Sequence, residues 1–290
     1  MDFTDLIGKT PLLELKQMCP NKKVKIFVKL EGNNPGGSVK DRAAFYMISD
    51  AEMRGTLKPG IKIIEATSGN TGIALSMIAS VKGYDIELAM PKNSTQERVD
   101  AMKAFGAKVT LTESMETAID YAKSKVEEGG YVMLNQFGNE ANPEAHYRGT
   151  APEIWAATEG QLTHFVSAMG TTGTIMGTSR YLKERNPEIQ IVGCHPADGA
   201  KIPGIRRWPT EYLPAIYDAS RVDKIYDIEQ ADAEETMRQL GRQEGVFCGV
   251  SSGGAVWAAL ELAKTLEQGL IVAIICDRGD RYLSTGLFGQ

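Results

Sequence analysis

Glu31-Gly32-Asn33-Asn34-Pro35-Gly36-Gly37-Ser38-Val39-Lys40-Asp41-Arg42 is the stretch whose reading decides the fold. The β-prone run Ile26-Phe27-Val28-Lys29-Leu30 leads into it. A helical run from Asp41 to Arg54 leaves it, with Ala44, Phe45, Ile48 and Ala51 at spacings of three and four. Between them, Asn33, Asn34, Pro35, Gly36 and Gly37 allow a tight turn in which backbone can approach a ligand. Lys40 then falls in the first turn of the helix, where a positive side chain opposes the macrodipole. A lysine so placed, beside backbone donors, suits covalent use as an amine nucleophile. The stretch alone favours an ordinary exposed lysine; the later motifs reverse that.

Working outward, strand and helix patterns alternate. Ile61 to Ala66 is a strand, and Thr67-Ser68-Gly69-Asn70-Thr71-Gly72 leads from it into a helix over Ile73 to Val81. Strand Ile86 to Met90, helix Gln96 to Phe105, strand Lys108 to Leu111 and helix Ser114 to Glu127 follow. Four such repeats from residue 26 onward predict an α/β fold, a parallel sheet covered on both faces. Ligands in such sheets bind at the carboxyl ends of strands, where both the Lys40 and Asn70 loops fall. After a strand ending in Asn135-Gln136-Phe137, residues Asn139 to Pro143 read as a polar linker and candidate domain crossing. Helix Tyr147 to Thr158 and strand Thr163 to Met169 then run into Gly170-Thr171-Thr172-Gly173-Thr174 and a helix over Ile175 to Glu184. Strand, Gly/Thr loop and helix make the chain's strongest phosphate cradle. A strand over Gln190 to Cys194 and an irregular, proline-bearing stretch from Pro196 to Pro214 come next. Helix Ala231 to Glu244, a loop Gly249-Val250-Ser251-Ser252-Gly253-Gly254, helix Ala255 to Leu266 and strand Leu270 to Cys276 complete the pattern.

Bulk properties narrow the class. The 290 residues suit about two domains, and 42% apolar with 24% charged residues describes a soluble globular protein. A net charge of −5 with scattered basic residues argues against a nucleic-acid partner. No apolar run is long enough to span a bilayer, and Met1-Asp2-Phe3-Thr4-Asp5 lacks the basic and apolar regions of an export signal. Cys19, Cys194, Cys248 and Cys276 form no CxxC pair, and His146, His164 and His195 lack metal-ligand spacing with them. A cytoplasmic protein with reduced thiols and no metal is the expectation.

The ligand of the Gly170 loop can be narrowed by elimination. A dinucleotide site needs an acidic residue at the end of the next strand, which here ends Gly193-Cys194-His195. A Walker loop needs Gly-Lys-Ser/Thr, which is absent. A single phosphate monoester fits, and pyridoxal 5'-phosphate is one that also needs a lysine.

With these segments quoted, the chain resembles the cysteine synthase family over essentially its whole length. Gly8-Lys9-Thr10-Pro11-Leu12, Pro35 to Arg42, Thr67 to Gly72, Gly170 to Thr174 and Gly249 to Gly253 carry the resemblance. Ile202-Pro203-Gly204-Ile205-Arg206-Arg207-Trp208 and Cys276-Asp277-Arg278-Gly279-Asp280-Arg281-Tyr282 look like the family's B-type members. Gly37 departs from the alanine that relatives often have. The resemblance implies a two-domain, fold-type II pyridoxal-phosphate enzyme, similar to tryptophan synthase β. Each domain would be an open, mostly parallel sheet flanked by helices. Residues 1–34 plus 145–290 would form the large domain and 35–144 a smaller, mobile one.

It also implies roles. Lys40 would form the cofactor's Schiff base and move the substrate's α-proton. Asn70 would bond the cofactor's ring oxygen, and Gly170, Thr171, Thr172, Gly173 and Thr174 would hold its phosphate. Ser251 would donate to the pyridine nitrogen, with Ser252 the alternative. Thr67, Ser68, Asn70, Thr71 and Gln136 would grip the substrate carboxylate, although Thr67 and Ser68 read equally as helix caps and Gln136 as a solvated loop residue. The implied reaction turns O-acetyl-L-serine and sulfide into cysteine and acetate through an α-aminoacrylate. Arg206 and Arg207 would admit thiosulfate, giving S-sulfocysteine, against the plainer reading of a surface salt bridge. A homodimer is implied as well. A sibling activity of cystathionine β-synthase or serine dehydratase type, or a cofactor-binding module without turnover, stays open.

Overall fold

The computed structural model describes residues 2–67, 69–92 and 94–289. In chain order the elements are β1 (Leu12–Leu15), β2 (Val24–Leu30), α1 (Lys40–Met53), β3 (Lys62–Ala66), α2 (Asn70–Lys82), β4 (Ile86–Pro91), α3 (Gln96–Ala104), β5 (Lys108–Thr112), α4 (Met115–Glu128) and β6 (Tyr131–Met133). Then come α5 (Ala141–Ala145), α6 (Ala151–Ala157), β7 (His164–Ala168), α7 (Gly173–Arg185), β8 (Gln190–Pro196), β9 (Lys224–Ile228), α8 (Gln230–Glu244), α9 (Val250–Thr265) and β10 (Gly269–Ile275).

They build two sheets. One has six strands in the order β1-β2-β10-β7-β8-β9, the other four in the order β5-β4-β3-β6. Every pairing is parallel except β1 with β2. The apolar run of β10 explains its central position. Ile271, Ala273 and Ile275 pack with residues of α8 and α9, while Val272 and Ile274 face the cluster of α6 and α7. Period-two alternation thus buries both faces of one strand. In the smaller sheet Ile63 and Leu88 meet α1 and α2, and Ile64, Ala66 and Ala89 meet α4. This is the expected α/β architecture with helices on both faces. Among the described residues no helix is long and apolar enough to cross a membrane.

Four expectations need correction. The strand before the Lys40 loop belongs to the six-stranded sheet, pairing β10 from Val24 to Leu30, and β6 is the fourth strand of the smaller one. Residues 139–143 are not a linker throughout, because α5 begins at Ala141. Asn139 turns the chain in by accepting from the Ala141 N–H at 2.9 Å, and Pro143 lies in a first turn where its missing N–H costs nothing. Strand β9 was not read from the sequence at all. The loop at Gly249 is shorter than expected, since α9 already starts at Val250. Gly253 looked like a loop glycine for its permissive backbone. Its absent side chain instead lets α9 press on α8, since a Cβ there would lie 2.1 Å from the Ala233 carbonyl.

Candidate active site

The carboxyl ends of five strands converge on one cavity of about 480 Å³ between the two sheets. Lys40 lines it as the first residue of α1. Thr67, Gly69, Asn70 and Thr71 reach it at the end of β3, and Gln136 and Phe137 beyond β6. Gly170, Thr171, Thr172 and Thr174 follow β7, Cys276 and Asp277 follow β10, and Ser251 comes from the first turn of α9. Ser68 lies outside the described residues.

The Lys40 turn is held from behind. Arg42, two residues on, is buried and makes paired bonds to Glu31 (2.7 and 2.9 Å) and to Glu153 (2.8 and 2.7 Å). Lys29 adds its ammonium to Glu153 at 2.6 Å and to the Thr10 carbonyl. Asp41 accepts from the Gly36 N–H at 2.5 Å, closing the glycine turn, and burial pushes its carboxyl up to about 7.

On the opposite wall the substrate-loop candidates hold one another. The Thr71 hydroxyl donates to Gln136 Oε1 at 2.7 Å, and both residues are buried. Gln136 is therefore no solvated loop residue. Thr67 Oγ1 accepts from the Gly69 and Gly72 N–H groups at 3.3 and 3.2 Å, the capping use that was its plainer reading. The Asn70 amide donates to Asp277 Oδ2 at 2.7 Å and accepts from Arg281. An amide NH2 carries two donors, so one remains for a ligand.

The Gly170 loop has features of a phosphate cradle. It precedes the thirteen-residue helix α7, and the first N–H groups of a helix lack partners within it. Thr172 takes φ of 71°, a left-handed conformation uncommon for a β-branched residue, and its buried hydroxyl has no partner among the described residues. Gly173 does not line the cavity; a Cβ there would meet Asn142 Oδ1 at 2.0 Å, so this glycine makes room for α5. The serine alternatives separate as well. Ser252 Oγ accepts from the Cys276 N–H at 2.9 Å and is not part of the cavity lining, whereas Ser251 is. So do the arginines. Arg207 pairs with Asp227 at 2.5 Å and Asp198 at 3.7 Å, while Arg206 lines the cavity beside Trp208.

Sequence profiles and relatives agree with this geometry. The profile of a family described as pyridoxal-phosphate dependent enzymes matches residues 3–277. Cysteine synthase B of Pseudomonas aeruginosa is 60% identical over 99% of this chain and 97% of its own. Cysteine synthase B of Escherichia coli is 58% identical over 98% of this chain and 95% of its own. Among solved structures, cysteine synthase from Entamoeba histolytica superposes with a TM-score of 0.94 at 41% identity, covering 100% of this chain and 90% of that one. O-ureido-L-serine synthase gives 0.94 at 37% identity, covering 99% and 95%.

The chain belongs to the cysteine synthase family of pyridoxal-phosphate dependent enzymes. Pyridoxal phosphate is the cofactor of this family, and the cavity fits it. Lys40, Thr172 with its buried hydroxyl just before a helix N-terminus, and Ser251 all line it. Among the described residues no cluster of His, Cys, Asp and Glu could hold a metal ion. The sequence reading did not single out Arg98, Asp277 or Tyr282 as site residues, though all three line the cavity. Arg98 lies over the Tyr282 ring at 5.3 Å, and the Tyr282 hydroxyl donates to Asp277 at 2.6 Å. Asp277 and Tyr282 fall in the quoted Cys276-to-Tyr282 stretch, and Asp277 lies two residues beyond the end of β10, whereas Arg98 carried no sequence signal.

Proposed function

We propose that this protein makes cysteine from O-acetyl-L-serine and sulfide, releasing acetate. The observation that carries the reading is one cavity lined by Lys40, the Thr171–Thr174 loop and the Thr71–Gln136 pair, in a chain about 60% identical to cysteine synthases B. When bound, pyridoxal phosphate supplies the electron sink that makes the substrate's α-proton acidic. Lys40 is the amine that would hold the cofactor's aldehyde carbon, and its Nζ would carry the substrate's Cα proton. The Cβ–O bond to the acetyl group would then break, and acetate would leave with the electron pair. Sulfide forms the new C–S bond at Cβ, and Lys40 returns a proton to Cα. Thr67, Ser68, Asn70, Thr71 and Gln136 would hold the carboxylate, Gly170, Thr171, Thr172 and Thr174 the phosphate, and Ser251 the pyridine nitrogen. A neutral hydroxyl at that nitrogen leaves a weaker sink than a carboxylate would, which favours loss of the β-substituent.

Residues 35–144 act as the smaller, mobile domain, closing over the cavity and excluding water. Arg206, which lines the cavity while Arg207 is engaged with Asp227, is the group that accepts thiosulfate to give S-sulfocysteine. We take the working form to be a cytoplasmic homodimer, as in the family resemblance.

Purified protein loaded with cofactor should yield cysteine from O-acetylserine and sulfide, and Lys40→Ala should abolish turnover. Arg206→Ala should lower thiosulfate turnover about tenfold or more and sulfide turnover much less, a loss expected for one charge-assisted hydrogen bond. Arg207→Ala should spare both. Equal losses on the two donors in Arg206→Ala would end the thiosulfate assignment, and an inactive loaded wild type would end the larger one.

A further inference from the structure

Asn142, on α5, stands between the two loops that the proposed function separates into phosphate binding and carboxylate binding. It is 2% exposed. Its side-chain NH2 donates to the backbone carbonyl of Gln136 at 2.9 Å and to the Thr171 hydroxyl at 3.1 Å. The chain has made space for it. Gly173 would place a Cβ 2.0 Å from its Oδ1, and four residues on, Gly177 would place one 1.9 Å from the Pro143 carbonyl. Two glycines on one face of α7 therefore exist to admit α5.

These two bonds do different things. Thr171 Oγ1 already accepts, weakly, from the Gly173 N–H at 3.4 Å. With Asn142 also donating to it, both lone pairs of the hydroxyl are used, and its own proton must point outward as a donor. A threonine that lines the cavity is thereby fixed as a donor, the polarity an anionic phosphate needs. At Gln136 the bond fixes the carbonyl while Glu65 accepts from the Asn135 N–H at 2.9 Å. Asn135 itself takes φ of 56°, the left-handed region that asparagine adopts more readily than most side chains. Gln136 in turn receives the Thr71 hydroxyl. Thr171, Asn142, Gln136 and Thr71 thus form one buried series from the six-stranded sheet's loop to the four-stranded sheet's loop.

We infer that Asn142 is a positioning residue that couples the phosphate loop to the carboxylate loop, so that a filled phosphate loop favours substrate binding. This rests on the proposed function's reading of those loops. Coupling of this kind is reciprocal, so both affinities must fall together when it is cut.

The test uses Asn142→Ala and the near-isosteric Asn142→Asp, which lacks both donors and keeps the volume if the alanine variant does not fold. Cofactor affinity of the stripped chain is read by absorbance titration with pyridoxal phosphate, and O-acetylserine KM and kcat are read on the loaded enzyme. In either folded variant the cofactor dissociation constant and KM should each rise about tenfold, with kcat within about threefold of wild type. A residue serving stability alone would lower Tm and leave both constants unchanged. A rise in only one constant, or in neither, overturns the coupling. Gln136→Ala separates this from the underlying reading. An unchanged KM in Gln136→Ala overturns the carboxylate role of that loop, whereas a raised KM there with wild-type constants in the Asn142 variants overturns the coupling alone.

Discussion

Glu65 sits within β3 at 2% exposure and accepts from the N–H groups of the turn at residues 134–136. Burial pushes its carboxyl up to about 7, against the downward pull of those N–H groups. A folded pKa above the unfolded one means that the native state binds the extra proton. Glu65 therefore favours folding most below about pH 4.5, and that contribution is lost as pH rises to about 7, by about 1.4 kcal/mol per pH unit. Urea unfolding of Glu65→Gln at pH 5 and pH 8 should show a smaller fall in stability than wild type across that interval. Thr172 supports a second expectation. Its hydroxyl is buried, without a partner among the described residues, and held at φ of 71° in the phosphate loop. Thr172→Ala should weaken cofactor binding about tenfold, the loss of one hydrogen bond to a charged group, as read by absorbance titration of the stripped chain.

At the scale of elements, the glycines separate two uses of one residue type. Gly36 and Gly37 serve the turn before Lys40, where Gly37 has φ of 80°. Gly173, Gly177 and Gly253 lie in helices and serve close packing. Gly253→Ala should destabilise the protein by about 1–3 kcal/mol, because the added methyl meets backbone that cannot rotate away. The loss should appear in the denaturation midpoint, with reduced cofactor affinity as α9 shifts Ser251. The sequence pattern alone put Gly253 in a loop, because glycine's backbone freedom and its small size leave the same mark on a sequence. The linker reading of residues 139–143 failed for a related reason. Asn and Pro end helices and also begin them, and only the packing of Asn142 against α7 shows which.

For the whole molecule, the buried network of Lys29, Glu31, Arg42 and Glu153 ties β2, the helix of Lys40 and α6 together. Arg42→Met should cost about 3–5 kcal/mol, since it leaves two carboxylates without their main partner. Chemical unfolding would measure it. Burial raises the Glu153 carboxyl, but the Arg42 guanidinium and Lys29 ammonium outweigh that and hold it at about 2. Its folded value lies below the unfolded one, so its contribution is present above about pH 4.5 and is lost as pH falls toward 2. The Arg42→Met variant should accordingly lose part of the wild type's steep acid unfolding between those limits.

Most of the order of strands and helices, the lysine after its glycine turn and the Gly/Thr loop between β7 and α7 were legible in the residues. Each depends on neighbours a few positions apart, where periodicity and turn chemistry act. Which sheet β2 joins, that Ser251 and Arg206 line the cavity while Ser252 and Arg207 do not, and the place of Asn142 were decided only by the fold. In each of those cases the choice turns on which distant group fills a hydrogen bond or occupies a volume, and no local pattern encodes that.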